Sequence, residues 1–205
     1  MIHLNFQNII RGKGTKKEHG IFTITGLGIF LGIIGLLTQL YDTPFTFRLV
    51  CISNLGNPNY NTRSWWLFTL DFIFGAFFLL PHSLYVYRHF QTPNKFLGRL
   101  WLLLSILGCF GLVMVGIFNE TINPAHIIFA LFAFGGIGLS LFLSLIIMGW
   151  KIFAKEPWPT KGHYLGFVLI IIGFISVIIN ELRIYGIDVP SDLNLTEWVA
   201  FLLLM

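Results

Sequence analysis

Long apolar runs separated by shorter polar segments dominate the pattern along this chain. Six runs are predicted to form helices that cross a membrane: 21–40, 65–87, 96–118, 124–150, 162–180 and 195–205. At about 1.5 Å of rise per residue, each of the first five is long enough for a hydrocarbon core about 30 Å thick. The sixth covers about half of that thickness before Met205, so we predict that the last span is incomplete in this chain.

Composition supports a membrane protein and excludes an ordinary soluble domain. Hydrophobic residues make up 56% of the chain and charged residues only 11%. A soluble fold cannot bury that much apolar surface. The predicted fold class is therefore all-α, a polytopic integral membrane helical bundle. It consists of a basic N-terminal segment at 1–20, predicted to be a cytoplasmic tail, and a single transmembrane domain at 21–205.

The basic residues are distributed unequally between the two sides of the predicted bundle. Six helices place the N-terminal segment and the turns at 88–99 and 151–161 on one side. Ten of the thirteen basic residues lie there: Arg11, Lys13, Lys16, Lys17, Arg88, Lys95, Arg99, Lys151, Lys155 and Lys161. Because cytoplasmic loops are enriched in Lys and Arg, we predict a cytoplasmic N-terminus in the plasma membrane. This charge pattern also explains the net charge of +4 without a nucleic-acid partner.

Asp71 is the most informative polar residue, since it lies one to two turns inside the second run. A carboxylate at that depth costs free energy unless it is paired, protonated or hydrated. A site for a proton, a cation or a ligand is one interpretation. The alternative is a structural ion pair with Arg63 or Arg183, or a neutral acid that is hydrogen-bonded within the protein.

A second group of polar residues surrounds the connection at 119–123. Glu120 and His126 are suited to act as an acid and a base. Alternatively, Glu120 balances the positive end of the fourth helix, and His126 only bonds a loop. Their spacing matches no compact metal motif such as His-Glu-x-x-His, so no metal site is predicted. No cofactor is predicted either, because phosphate-binding, dinucleotide and haem motifs are lacking from the sequence.

The polar connections at 41–64, 119–123 and 181–195 are all predicted to lie on the outer face. We therefore expect one outward-facing polar pocket. Its predicted ligand-binding residues are Asp71, Glu120, His126, Asn180, Glu181 and Ser53.

Several short motifs resemble one family of membrane proteins. They are Ile52-Ser-Asn-Leu-Gly56 with Asn57-Pro58, Trp66-Leu-Phe68, Gly116-Ile-Phe-Asn-Glu120 with His126 and Phe129-Ala130, and Glu197-Trp198. The chain resembles the uncharacterised six-helix family called domain of unknown function 998. It is also similar, more weakly, to Frag1/DRAM-type membrane proteins, some of them linked to lipid-anchor remodelling. The resemblance implies six helices and an outward polar face. This chain departs from it in having Thr69 in place of a frequent asparagine, and in adding Asp71.

The leading functional interpretation is a binding role. The predicted partners are membrane lipids, bound by their headgroups, or another small ligand, or other integral membrane subunits. An intramembrane enzyme that remodels lipids with Glu120, His126 and Asp71 is one alternative. A proton-coupled carrier relying on Asp71 is another. No serine-hydrolase elbow surrounds the serines, so the residues favour a non-enzymatic role without deciding the question.

Overall fold

The computed structural model describes residues 5–47, 50–89 and 94–153, together with residues 168, 171, 172, 175 and 198. Five α-helices are present in these ranges: α1 (Phe6–Ile10), α2 (Lys16–Gln39), α3 (Trp65–His89), α4 (Lys95–Ile117) and α5 (Ala125–Phe153). A 3₁₀-helix, Ile52–Gly56, lies between α2 and α3. The all-α prediction is confirmed for the described residues, which contain no strand.

Four of these helices are long and apolar enough to cross a membrane. They are Lys16–Gln39, Trp65–His89, Lys95–Ile117 and the Ala125–Trp150 part of α5. They correspond to the first four predicted spans. The predicted fifth and sixth spans, 162–180 and 195–205, lie outside the continuously described residues, as does the predicted incompleteness of the last one.

Consecutive long helices pack against one another, α2 on α3, α3 on α4 and α4 on α5. The bundle has two ends, which differ in the connections that they carry. We call the end with the connections at 40–64 and 118–124 the loop end, and the end with α1 and the last turn of α3 the N-terminal end. Asp71 lies nearer the loop end, because α3 begins there.

The first twenty residues contain more structure than a tail. The short helix α1 buries Ile9, which is 1% exposed. The following turn reaches α3, where Arg88 Nε donates a hydrogen bond of 3.0 Å to Arg11 O. Gly12 adopts φ 66°, and a Cβ there would lie 2.6 Å from the carbonyl carbon of Leu84. Only glycine fits such a left-handed turn so close to another backbone.

Helix α2 begins at Lys16 rather than at residue 21, where the apolar run begins. A capping box starts it: Glu18 N donates to Thr15 Oγ1 over 3.2 Å, and Thr15 N donates to Glu18 Oε2 over 2.7 Å. These bonds satisfy backbone donors that a helix start leaves free. The helix therefore extends beyond the apolar run into the basic segment.

Small residues bring α4 and α5 into close contact. A Cβ at Gly136 would lie 2.6 Å from Gly108 N, and Gly111 faces the backbone of Ala133 in the same way. Such small-residue interfaces let helix backbones approach closely within a membrane. Between α3 and α4, Thr69 Oγ1 donates a hydrogen bond of 2.6 Å to Gly116 O. This bond links the two helices.

The connection at 40–64 folds back over the loop end of the bundle. Its 3₁₀-helix packs on α3, with Gly56 against the ring of Phe68. The buried Asn61 donates from Nδ2 to Leu55 O over 2.8 Å and accepts a bond of 2.5 Å from Ser64 Oγ. Satisfied polar groups of this kind hold the connection in a fixed shape over the apolar core.

Candidate functional site

Asp71 is the most unusual polar residue of the described chain. It is 0% exposed, and neither carboxylate oxygen has a hydrogen-bond partner among the described residues. The same face of α3 carries the buried rings of Phe68 and Phe72. An ionised carboxylate in such surroundings costs several kcal/mol, so Asp71 requires a proton or a cation to neutralise it. No ion pair with Arg63 supplies that charge in the described structure, and Arg183 lies outside the described residues.

Glu120 joins the two connections at the loop end. Its Oε2 accepts a hydrogen bond of 3.1 Å from Asn57 Nδ2. Asn57 is itself buried, and its Oδ1 accepts a bond of 2.9 Å from Asn59 N. The contact therefore ties the short 118–124 connection to the longer 40–64 connection. The structural role of Glu120 is therefore to join the two connections. A functional role for Glu120 remains a prediction.

His126 is bonded to the loop that precedes its helix. Its Nδ1 lies 2.7 Å from Phe118 O, and its backbone N donates to Ile122 O over 3.1 Å. Because a carbonyl oxygen only accepts, Nδ1 carries the proton in this contact. The interpretation of His126 as a residue that bonds a loop is thus the one that the geometry favours.

Of the remaining predicted site residues, the structure describes only Ser53. Ser53 is half-buried within the 3₁₀-helix at the loop end. Asn180 and Glu181 lie outside the described residues. Asp71 is bonded to neither Glu120 nor His126. A single pocket formed by all six residues therefore stays a prediction.

A different recess opens at the loop end, beside the end of α2. Its volume is ≈ 500 Å³, and its lining residues are Thr38, Gln39, Tyr41, Asp42, Thr43, Pro44, Phe45 and Phe47. The rings of Tyr41 and Phe45 meet edge to face with centroids 5.8 Å apart, and those of Phe45 and Phe47 at 5.1 Å. Trp198 continues this aromatic cluster, with its ring 5.0 Å from Phe47 and a bond of 2.8 Å from Nε1 to Val50 O.

Asp42 provides the negative charge of this recess. The backbone N–H of Thr62 donates to its Oδ2 over 2.9 Å. That bond, and then one from the Thr62 hydroxyl, holds the pKa of the Asp42 carboxyl below its usual value, and the charge of Arg63 adds a smaller effect in the same direction. Burial raises the pKa of the neighbouring Tyr41, which stays a neutral phenol. The recess thus combines a carboxylate with aromatic walls.

This recess is not among the sites predicted from the sequence. An acidic residue inside the aromatic segment Tyr41-Asp-Thr-Pro-Phe-Thr-Phe47 was the available signal. It was overlooked because Asp42 lies outside the apolar runs, where a charged residue needs no special explanation.

A smaller, partly open cavity lies between α2, α3, α4 and α5. Its volume is ≈ 160 Å³. The polar residues in its lining are Thr23, His82, Ser83, Trp101, Ser105 and Ser140, among apolar residues that include Phe30 and Phe78. His82 Nδ1 and Thr23 Oγ1 are 3.2 Å apart and share a hydrogen bond. The described residues contain no group of three or more His, Cys, Asp or Glu side chains that could hold a metal ion.

A family model with the description "Protein of unknown function (DUF998)" matches residues 24–205. The chain belongs to the DUF998 family. Comparisons with curated proteins and with solved structures give no match. The four helices able to cross a membrane make this DUF998 member a multi-pass membrane protein.

Proposed function

We propose that this DUF998 protein binds the zwitterionic headgroup of a membrane lipid in the recess at the end of α2. The observation that carries the proposal is the ionised Asp42 at an aromatic-walled recess of ≈ 500 Å³. That volume lies within the range of about 300–1,000 Å³ typical of small-molecule sites. The ammonium of such a headgroup would be attracted both by the Asp42 carboxylate and by the aromatic rings of the recess.

The attraction has two sources. A carboxylate favours a nearby cation through its charge. Aromatic faces add a cation–π term of about 0.5–1 kcal/mol at an exposed site and more where water is excluded. Arg63 lies close enough to Asp42 to influence its charge, and its guanidinium suits the phosphate of the same headgroup. Asp42 and Arg63 together therefore match a headgroup that carries both signs.

The position of the recess also suits a lipid. Trp66, in the first turn of α3 at the same end of the bundle, is about half exposed and donates from Nε1 to Arg63 O over 3.2 Å. Tryptophan is enriched where membrane headgroups meet the acyl chains. The charge asymmetry of the sequence supports an external location for this end of the bundle in the plasma membrane.

The bonds of Glu120 and His126 favour binding over lipid-remodelling catalysis. Each side chain is engaged in holding a connection, through Asn57 and through Phe118 O. A partner membrane subunit remains compatible with the same end of the bundle, but no contact among the described residues favours it over a lipid.

The proposal is tested by measuring lipid retention with native mass spectrometry of the full chain. Wild type is expected to retain phosphatidylcholine at least tenfold better than phosphatidylglycerol, which lacks the ammonium group. Asp42→Asn should reduce that preference about tenfold, equivalent to about 1.4 kcal/mol. Glu120→Gln is the matched control, since it alters a carboxylate at the same end that does not line the recess.

Two further outcomes decide the ligand class. Equal retention of both lipids by wild type, or an unchanged preference in Asp42→Asn, contradicts the proposal. If free choline displaces phosphatidylcholine from the recess, the site would be assigned to a soluble ammonium compound instead of a lipid.

A further inference from the structure

His19 is a buried histidine of α2, close to the N-terminal end of the bundle. The residue is 2% exposed, and neither ring nitrogen has a hydrogen-bond partner in the described structure. A neutral imidazole needs one acceptor for its N–H group, and an imidazolium needs two. Because buried polar groups are nearly always hydrogen-bonded, a buried histidine without a partner requires an explanation. Its surroundings accommodate the neutral ring poorly and the charged ring still less well.

The ring of His19 is enclosed by α3 and by the turn that precedes α2. It stacks on the ring of Tyr85 with centroids 4.1 Å apart. A Cβ added to Gly14 would lie 3.2 Å from His19 Cδ2 and 3.3 Å from Nε2, so the backbone of the turn passes close to the ring. This turn and α1 together make up residues 5–14, which we call the docked segment. The burial of His19 therefore depends in part on the docked segment staying in place.

Few contacts hold the docked segment against the bundle. Ile9 is the only apolar side chain of the segment that is buried. Arg88 Nε donates to Arg11 O, and this bond is exposed. A second exposed bond of 3.2 Å runs from Asn5 N to Glu18 Oε1. Exposed hydrogen bonds and few buried apolar contacts are typical of segments that open while the rest of a protein stays folded. We therefore expect the docked segment to detach more readily than the long helices separate.

The charged groups around His19 are mostly positive. Glu18, which attracts a charged His19, is the only carboxylate at this end among the described residues, and its oxygens accept hydrogen bonds from Asn5 N and Thr15 N. The face of Tyr85 also attracts cations, but His89 stacks on the same ring with centroids 4.1 Å apart. The basic groups of the docked segment, α2 and α3 at this end are Arg11, Lys13, Lys16, Lys17, His82, Arg88 and His89. A positive charge on His19 is therefore opposed by like charges and by the lack of an acceptor.

We propose that protonation of His19 releases the docked segment, which thereby acts as a pH-sensitive latch at the N-terminal end. In the docked state the imidazole of His19 is neutral. When the segment leaves, water reaches the ring, and a proton from the solvent bonds to the free ring nitrogen. Water then accepts hydrogen bonds from both N–H groups of the imidazolium. Because the released state binds a proton more readily than the docked state, a fall in pH favours release.

The size of the effect follows from the ordinary titration of histidine. A histidine exposed to water is half protonated at about pH 6.5. If the docked state takes up no proton at His19, the ratio of released to docked molecules rises about tenfold between pH 7.5 and pH 5.5. Release also exposes Ile9 and separates Arg11 from Arg88. Acidification therefore changes both the apolar and the charged surface at this end of the bundle.

The test measures how strongly docking protects a buried position from a thiol reagent. Ile9→Cys places a thiol at a buried position and Gln7→Cys at an exposed one, in full chains whose Cys51 and Cys109 have been replaced. The rate of reaction with an aromatic disulfide reagent is measured for each in lipid nanodiscs at pH 7.5 and pH 5.5. Dividing the rate at position 7 by the rate at position 9 removes the effect of pH on the thiol itself. This protection ratio is expected to fall about tenfold at the lower pH.

Variants of two histidines assign the effect to His19. His19→Phe keeps a ring against Tyr85 but cannot titrate, so its protection ratio should be the same at both pH values. His19→Leu takes its place if the larger ring does not fit beside Gly14. His89→Gln is the matched control, because it removes an exposed histidine from the same stack and should keep most of the tenfold fall. A protection ratio that stays constant or rises at pH 5.5 with His19 present, or a fall that persists without it, overturns the proposal.

Discussion

Asn57 donates a hydrogen bond of 3.1 Å to Glu120 across 63 residues of sequence, and thereby joins the two connections at the loop end. Asn57→Ala removes this bond and the 2.9 Å bond from Asn59 N to Oδ1. Both bonds are only partly buried, so their loss should lower the free energy of unfolding by about 0.5–1.5 kcal/mol for each bond. The measurement is reversible unfolding in mixed micelles, with the exposed Asn59→Ala as control. Equal stabilities of the two variants would show that the contact does not hold the loop end together.

The contact between α4 and α5 gives a second prediction. Gly136→Leu places a side chain against the backbone of Gly108, so it should destabilise the protein by about 1–3 kcal/mol. Gly135→Leu is the control at the adjacent position, where no described heavy atom lies within 4 Å of an added Cβ. The measurement is the melting temperature of each variant in detergent, and the Gly136→Leu variant is expected to have the lower value. A Gly135 variant as unstable as the Gly136 variant would argue against the close approach.

Asp42 gives a prediction about pH. Its carboxyl has a pKa lowered from 3.8, so its ionised form is favoured in the folded protein. The stabilisation is present above the unfolded pKa and is lost as pH falls through the folded pKa. The melting-temperature difference between wild type and Asp42→Asn should therefore shrink below about pH 4. Thr62→Val retains the backbone donor and should keep most of the pH dependence. A difference that grows toward low pH would have the wrong sign.

Orientation in the membrane can be measured with cysteine labelling. Cys51 and Cys109 are first replaced, and single cysteines are introduced at Tyr60, which is exposed at the loop end, and at Lys17 near the N-terminal end. The charge asymmetry predicts that only the first reacts with an impermeant reagent added outside the cell. Reaction of the Lys17 position alone would reverse the predicted topology.

Sequence patterns predicted the helices better than the contacts between them. Apolar periodicity and length suffice for four spans, because lipid requires long apolar helices whatever surrounds them. The early start of α2 was missed because Thr15 and Glu18 lie in a polar segment where no apolar run draws attention. The partner of Glu120 could not be predicted, since nothing local to Glu120 indicates that Asn57 folds over it.

Asp71 shows the same difference between what a helical pattern predicts and what depends on packing. Its depth follows from its position in α3, and a carboxyl at that depth is expected to need a special environment. Whether it would be paired with an arginine or left without a partner depends on which helices face it. That information lies in the packing of α2 and α4 on α3, and a single helical pattern does not contain it.

The turn that brings Arg11 and Gly12 against α3 also fixes an order of events during synthesis. Arg88 follows Arg11 by 77 residues, so the ribosome releases the N-terminal segment long before its docking surface exists. The contacts of Arg11 and Gly12 with α3 therefore cannot form until α3 has been made. The segment around Arg11 is therefore made well before the helix against which it packs.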